Sequence, residues 1–552
     1  MLATQPGKAR AIGASSYASQ MGLALSRDRA VAPIWLLAAA LAALWLLIAP
    51  PTPDLAAQVF RATLFRSEGF AVWDSSWYGG HNLPGYSLLF PPMAALIGPR
   101  LLGALAVTVS VVLFERLMGA HFPRRAARWA TVWFAFVAVG DLMIGRLTFA
   151  LGVSFGLACL LALDRKRPTL SALFAIACAA ASPVAGAFIV LIAVSVAIAQ
   201  RSRAAAGVAV AATVMVLVMA FGFPEGGVQP YPLRSTIIPV VATVAIALLA
   251  GPNQRALRIG AWIYAPVCIL ASLVPSPLGE NVARLGILLA GPLLIALILS
   301  RPTPIKHLRV VVVIAAAVAC WQLLGPIREV AKGAGDPSTT AAYHQPLIDF
   351  FATRGSAPFR VEVPFTRAHW EAAFLAPSLK LARGWSTQLD TKYGALFYRK
   401  DDPFSATEYH RWLTNNAVAY IAVPDAAPDP TSKRELAVIA SNPPWLRPIW
   451  SSAHWKVFKV TDAAPLLTGP GDLLALGRDD FTIQAHRAKP MIVRVRWTSF
   501  FTAIEGSVCL ARAPDGWTEV TPVRPGRITI AARFDIAKMA EQSSFCSSAG
   551  DN

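Results

Sequence analysis

The chain has 552 residues, with 50 Lys and Arg against 31 Asp and Glu, a formal charge of +19. Yet it is 55% hydrophobic and only 15% charged, with a mean hydropathy of +0.51. Soluble globular chains carry about 25% charged residues. The composition therefore excludes an ordinary soluble enzyme and a disordered chain, and six Cys are too few for a disulfide scaffold. A nucleic-acid binder would account for the charge but not for the apolar excess. A polytopic membrane protein accounts for both if its basic residues lie in cytoplasmic loops.

Residues 1–31 are polar and read as a cytoplasmic tail. The long apolar run that follows, flanked by Arg27 and Arg29, reads as a retained signal anchor. Eleven apolar stretches are candidates to cross a bilayer as helices, near 32–50, 98–115, 129–144, 147–163, 169–181, 184–200, 204–222, 235–251, 257–274, 285–300 and 308–324. The fifth is short and is broken from the sixth at Ser182-Pro183, so a single kinked span, and a count of ten, is the alternative. With eleven spans and a cytoplasmic N-terminus, eighteen Lys and Arg fall in inner segments and six in the short outer loops. That asymmetry matches the positive-inside rule, and the ten-span arrangement would spoil it. The expected architecture is an α-helical polytopic membrane protein, spans within 32–324, with everything after residue 324 outside the cytoplasm.

Acids show the opposite bias. Of nine in residues 1–324, six (Asp54, Glu68, Asp74, Asp141, Glu225 and Glu280) fall at outer ends of spans or in outer loops. Acids near a membrane are costly unless solvated or paired, so their clustering suggests a shared cavity on that face. The alternative is that outer loops simply need polar residues. Arg146 and Arg284 stand at outer helix ends, where a guanidinium fork matches phosphate oxygens or anchors lipid headgroups by snorkelling.

The first outer loop, 51–97, is long enough to suggest function. Asp54 to Arg66 patterns as an amphipathic helix, with Leu55, Val59, Leu64 and Phe65 apolar and Gln58, Arg61 and Arg66 polar, and Pro53 suits its start. This helix holds Asp54 at the membrane boundary. The second half of the loop carries Trp73, Trp77, Tyr78, Tyr86 and Phe90, rings that serve an interfacial belt or stack on sugars.

This arrangement resembles the GT-C superfamily of membrane glycosyltransferases, and within it a set of actinobacterial-type GT-C-like membrane proteins. The resemblance rests on Asp54-xxx-Gln58, Glu68-Gly69, Trp73, Tyr78-Gly79-Gly80-His81, Pro84-Gly85-Tyr86 and Phe90-Pro91-Pro92 in the loop. Ser182-Pro183-Val184-Ala185-Gly186, and Ala382-Arg383-Gly384-Trp385 with Gln388-Leu389-Asp390, extend it over most of residues 30–420. It implies transfer of a sugar, with inversion, from a polyprenyl-phosphate donor to a cell-envelope glycan or glycoconjugate acceptor at the outer face of a bacterial cytoplasmic membrane. In that reading Asp54 matches the acid after the first span and is the general base. Asp74 is the runner-up for that role or a second acid that orients the acceptor. Arg284, with Glu280 and Asn281 beside it, and then Arg146, hold the donor phosphate; His81 contacts phosphate or acceptor or, as a lone histidine in a loop, is structural. Gln58, Trp73, Trp77, Tyr78, Tyr86 and Trp385 contact the sugars. No Cys/His cluster has metal-ligand spacing, although Asp54 and Asp74 in one loop could hold a divalent cation. A transporter or flippase of a lipid-linked sugar, and a non-catalytic envelope-assembly protein, are the competing readings.

The C-terminal region divides into an α/β section, 325–467, and a β-sandwich-like section, 468–552. Phe359–Val363 and Val418–Val423 read as strands, and Glu408–Asn416 as a helix. Met491–Trp497, Ser507–Leu510 and Arg527–Arg533 are short strands at sandwich spacing. The sandwich is a carbohydrate-binding module or a plain lid, and Trp497 and Trp517 are its candidate stacking residues. Cys509 and Cys546, the two cysteines outside the spans, are expected to pair in an oxidising compartment.

Overall fold

The computed structural model describes residues 33–301, 307–355, 357–399, 404–539 and 543–548. The expected N-terminal tail, with Lys8, Arg10, Arg27 and Arg29, lies outside the described residues, as does Lys306. Helices cover all eleven apolar segments. In chain order they are α1 (Ile34–Ile48), α2 (Pro53–Glu68), α3 (Phe90–Ile97), α4 (Pro99–His121), α5 (Arg124–Ile144), α6 (Leu147–Asp164), α7 (Pro168–Ala181), α8 (Pro183–Gln200), α9 (Arg203–Gly222), α10 (Ile237–Leu249), α11 (Arg255–Leu273), α12 (Ala283–Leu299) and α13 (Leu308–Gly333). Among the described residues eight are long and apolar enough to cross a membrane: α4, α5, α6, α8, α9 and α13, together with α11 and α12 when the short turns ahead of them are included. The helices α7 and α10 are apolar but shorter, and α1 is bent 83° against α2. Leu105, Val214, Leu248, Leu270 and Val313 lie exposed on the outsides of these helices, an arrangement suited to lipid. The chain is a multi-pass α-helical membrane protein with a strand-rich C-terminal region.

The amphipathic helix forms where its pattern places it. Pro53 occupies its first position, and Leu55, Ala56, Phe60 and Leu64 are buried, but so are Gln58 and Arg61 on the side expected to be polar, so the helix is covered by protein rather than lying half-exposed. After it, β1 (Trp73–Asp74) and β2 (His81–Asn82) make a two-stranded hairpin.

Beyond α13, a five-stranded mixed sheet is built from β3 (Arg360–Glu362), β4 (Lys380–Leu381), β5 (Val418–Pro424), β6 (Leu446–Ser451) and β7 (Trp455–Val460), in the order β4-β3-β5-β7-β6. Two antiparallel sheets follow, made of β8 (Leu467–Thr468), β9 (Gly471–Leu476), β10 (Asp480–Ala485), β11 (Met491–Arg496), β12 (Phe501–Glu505), β13 (Ser507–Arg512), β14 (Trp517–Pro522), β15 (Gly526–Ala532) and β16 (Ser544–Ser548). Their orders are β12-β15-β10-β9 and β16-β13-β14-β11-β8. Phe481, Ile483, Val493, Phe501, Leu510 and Ile530 fill the space between them, so the region is a β-sandwich. Cys509 and Cys546, opposite one another on β13 and β16, are joined by a disulfide.

The first loop stitches these parts together. The Leu381 amide donates to the Ser76 carbonyl, the Ser75 amide to the Arg478 carbonyl, and the Arg496 amide to the Gly79 carbonyl. Trp77 stacks on Phe60 of α2 with centroids 4.2 Å apart and donates to the Ala372 carbonyl. Loop and C-terminal domains therefore share one face of the helical bundle, so an even number of crossings separates them. The eight long helices satisfy that parity, and so do all ten of α4 to α13. Either both short helices α7 and α10 cross, or neither does.

Candidate active site

Four charged groups meet where α2 leaves the bundle. Asp54, in the first turn of α2, has Oδ2 3.8 Å from Arg146 Nε. Arg146 Nη1 is 3.7 Å from Asp141 Oδ1 near the end of α5. Arg284, in the first turn of α12, lies within the field of Asp54, Asp141 and Arg146, and its guanidinium stands 5.5 Å from the Phe149 ring centre. The sequence marks Gly145-Arg146 only as a helix end, but its position here is set by contact. Gly145 takes a left-handed φ of +94°, and a β-carbon on it would lie 2.5 Å from the Leu55 backbone nitrogen. That approach presses the α5–α6 turn against the first turn of α2 and sets Arg146 beside Asp54.

The separations of Arg146 from its two carboxylates are too long for hydrogen bonds. Arg146 Nε and Nη1 and Arg284 Nε are all buried without a hydrogen-bond partner. Buried donors are almost always satisfied, and leaving a charged one bare costs more than leaving a neutral one. The arrangement is that of an anion receptor, two guanidinium groups with donors to spare beside a half-exposed carboxylate.

Further along α2, Gln58 donates to the Tyr86 hydroxyl at 3.0 Å, and the Arg61 guanidinium lies 3.9 Å above the Tyr86 ring centre. Glu225, in the loop after α9, is attracted by Arg61 and by Lys392, but burial dominates and pushes its pKa up to about 7. This row extends the polar surface from Asp54 toward the C-terminal domains. Asp141 and Glu225 were visible in the sequence only as acids at outer ends of spans or in outer loops, and Arg61 only as a polar residue of the amphipathic helix.

Other expected site residues lie elsewhere. Asp74 is fully buried in the β1–β2 hairpin, where it accepts from Ser76 at 2.8 Å and stands 4.0 Å from His81 Nδ1. Asp54 and Asp74 thus sit among different partners, and among the described residues no group of three His, Cys, Asp or Glu could hold a metal ion. His81 lies flat on Trp77, and burial lowers its pKa to about 4 despite the attraction of Asp74. Trp77 and Tyr78 are buried packing residues; the Tyr78 hydroxyl donates to the Gly384 carbonyl. Trp73 is also buried, with its ring edge on Phe501. Glu280 is exposed in a short turn, and Asn281 points to the Pro277 carbonyl at 3.5 Å. Trp385 stacks on His369, centroids 3.5 Å apart, within the α/β domain.

The Arg383-Gly384-Trp385 segment builds structure. Arg383 is fully buried and bonds both Asp390 oxygens at 2.9 and 3.0 Å and Glu435 at 3.0 Å, with Glu362 at 3.5 Å. Phe365 and Phe397 cover it on both sides, each under 4 Å from the guanidinium carbon. Gly384 leaves room for Trp77, since a β-carbon there would come within 2.2 Å of the indole.

A cavity of about 940 Å³ lies inside the bundle. Its upper end is lined by Leu285 and Gly286, directly after Arg284 in the chain, and by Tyr264, and its lower end by His121, Asp164, Lys166 and Arg255. Its walls between are leucine-rich. No protein-family model matches this chain, and no curated protein is significantly similar to it.

Proposed function

We propose that this protein is a membrane glycosyltransferase that moves a sugar from a polyprenyl-phosphate donor to a cell-envelope glycan or glycoconjugate. The reading includes eleven crossings, a cytoplasmic N-terminus and C-terminal domains outside the cytoplasmic membrane of a bacterium. The observation that carries it is the pair of guanidinium groups, Arg146 and Arg284, with bare buried donors beside Asp54, and an apolar cavity whose lining begins at Leu285, the residue after Arg284. A lipid phosphate requires that combination, a forked cationic seat above room for a hydrocarbon tail. Asp54 takes the proton of the attacking acceptor hydroxyl as the carbon–oxygen bond to the sugar forms. The sugar–phosphate bond breaks, and the charge that develops on the departing phosphate is met by Arg146 and Arg284. The distribution of basic residues, eighteen in inner segments against six in outer loops, supports the orientation, and the even number of crossings puts the C-terminal domains on the same side as the first loop.

The test is transfer from radiolabelled polyprenyl-phosphate sugars by the protein in nanodiscs with envelope-glycan acceptors. Asp54→Asn should keep the fold and lose at least a hundredfold in rate. Wild-type transfer by a folded Asp54→Asn protein would defeat the assignment.

The polar lower mouth of the cavity, where His121 Nε2 meets Asp164 at 3.1 Å, favours a second reading as a carrier of lipid-linked sugars. Movement of labelled donor across sealed vesicles, unchanged by Asp54→Asn, would select it.

A further inference from the structure

A second cavity, of about 740 Å³, opens where the first loop, the loop after α9, the α/β domain and the sandwich meet. Its character is opposite to that of the apolar one. Tyr393, Trp412 and Trp517 contribute aromatic surface. Lys392, Arg494, Arg496 and Arg512 bring four cations against two carboxylates, Glu225 and Asp515. Arg496 stands 3.5 Å from the Trp517 ring centre and 4.1 Å from that of Tyr393, a flat guanidinium–aromatic stack. Arg496, Arg494 and Lys392 make their hydrogen bonds to neutral oxygens, while Asp515 and Glu225 are the carboxylates in their field. Arg496 donates to the Asp515 carbonyl, Arg494 to the Pro465 carbonyl and Lys392 to the Glu225 carbonyl.

Buried polar atoms on the first-loop side of this cleft lack partners. Both ring nitrogens of His81 and Asn82 Oδ1 are unbonded, although these residues are 3% and 7% exposed. Glu225 Oε1 is likewise buried without a partner. A closed apolar packing would not assemble a neutral imidazole, an amide oxygen and a carboxyl there without bonds. A hydroxyl-rich ligand would satisfy all of them. Glu225 also joins this cleft to the Arg61–Tyr86–Gln58 row, and so to Asp54.

We propose that the cleft binds an acidic saccharide, its ring faces against the aromatic residues and its carboxylate or phosphate groups against the Lys392, Arg494 and Arg512 side. As a binding site this stands alone. As the acceptor site for sugar transfer it rests on the function proposed above.

The test is titration of the full-length protein in nanodiscs with hexagalacturonate, with its methyl ester, and with a phosphomannan oligosaccharide. The first and third separate carboxylate from phosphate as the recognised group; the ester removes charge and keeps the ring. Binding of either acidic probe is expected, with the ester at least tenfold weaker. Lys392→Gln/Arg512→Gln, which alters two exposed side chains, should weaken the acidic probe at least tenfold at an unchanged melting temperature. Asp54→Asn should bind as wild type does. Absence of binding to both acidic probes, equal binding of the ester, or wild-type affinity in the double variant would each overturn the proposal. Binding of an acidic probe by a protein that transfers no sugar would uphold the cleft and remove only its role as acceptor site.

Discussion

Gly145 and Leu55 approach so closely that no side chain fits between them, and this contact fixes the turn that carries Arg146 against Asp54. Gly145→Ala must both accept a left-handed φ and push the α5–α6 turn from α2. Strain of this kind costs about 1–3 kcal/mol. A lower melting temperature is expected, with a larger fractional loss of sugar transfer than of folded protein. Equal transfer per folded molecule would show that the spacing is not critical.

The bare guanidinium donors predict a graded loss of anion affinity. Arg146→Gln and Arg284→Gln should each weaken polyprenyl-phosphate binding at least tenfold, as read by native mass spectrometry. Arg284→Lys should recover only part of it, because an ammonium is a point charge without the planar fork. Full recovery by lysine would reduce the role of Arg284 to charge alone.

Arg383 is a stability prediction, separate from catalysis. Removing it as Arg383→Gln leaves Asp390, Glu435 and Glu362 together in a buried site. Deleting one partner of a buried ion pair costs about 3–5 kcal/mol. Limited proteolysis should cut the α/β domain rapidly in this variant, and Arg383→Lys should rescue little because Asp390 is held by both arms of the fork. Wild-type protease resistance would contradict the burial argument.

His81 and Glu225 give opposite pH dependences. Burial lowers the His81 pKa to about 4, with Asp74 opposing and Arg61 assisting, so the folded state favours neutral imidazole. Its contribution is present above the unfolded value of about 6.5 and is lost as pH falls toward 4. Burial raises the Glu225 pKa to about 7 against Arg61 and Lys392, so its contribution is present below the unfolded value of about 4.5 and is lost as pH rises through 7. Melting temperatures of His81→Gln and Glu225→Gln, each taken relative to wild type across pH 4–7, should therefore slope in opposite senses. The His81→Gln difference becomes more favourable toward acid, and the Glu225→Gln difference more favourable toward neutrality. Parallel slopes would refute the assignment.

Much of the architecture was legible because it follows from runs and periods. A bilayer-length apolar run becomes a helix wherever it occurs, and the alternation in residues 491–497 becomes β11. Pro53 and the apolar stripe specified α2 within two residues of its end. The roles of the aromatic residues were not legible, because a ring that packs and a ring that stacks on sugar have the same composition. Trp77 is taken up by Phe60 and His81, Trp385 by His369, and the Tyr78 hydroxyl by a backbone carbonyl. Adjacency misled at Glu280: four residues from Arg284, it faces solvent from a short turn. Asp141 and Arg61 join the row beside Asp54 through tertiary contacts that no local spacing encodes.

The bend after α1 has a consequence for how the protein comes together. The Pro51 carbonyl, at that bend, accepts a hydrogen bond from Trp370 in the α/β domain, 319 positions later. The segment that introduces Asp54 is made before α4 to α13 but is clasped by a residue made after all of them. During synthesis the carboxylate would wait, unaimed, through every intervening helix. A chain stopped after α13 would insert and still lack the clasp, so the maturity of the site would be dated by the folding of the α/β domain.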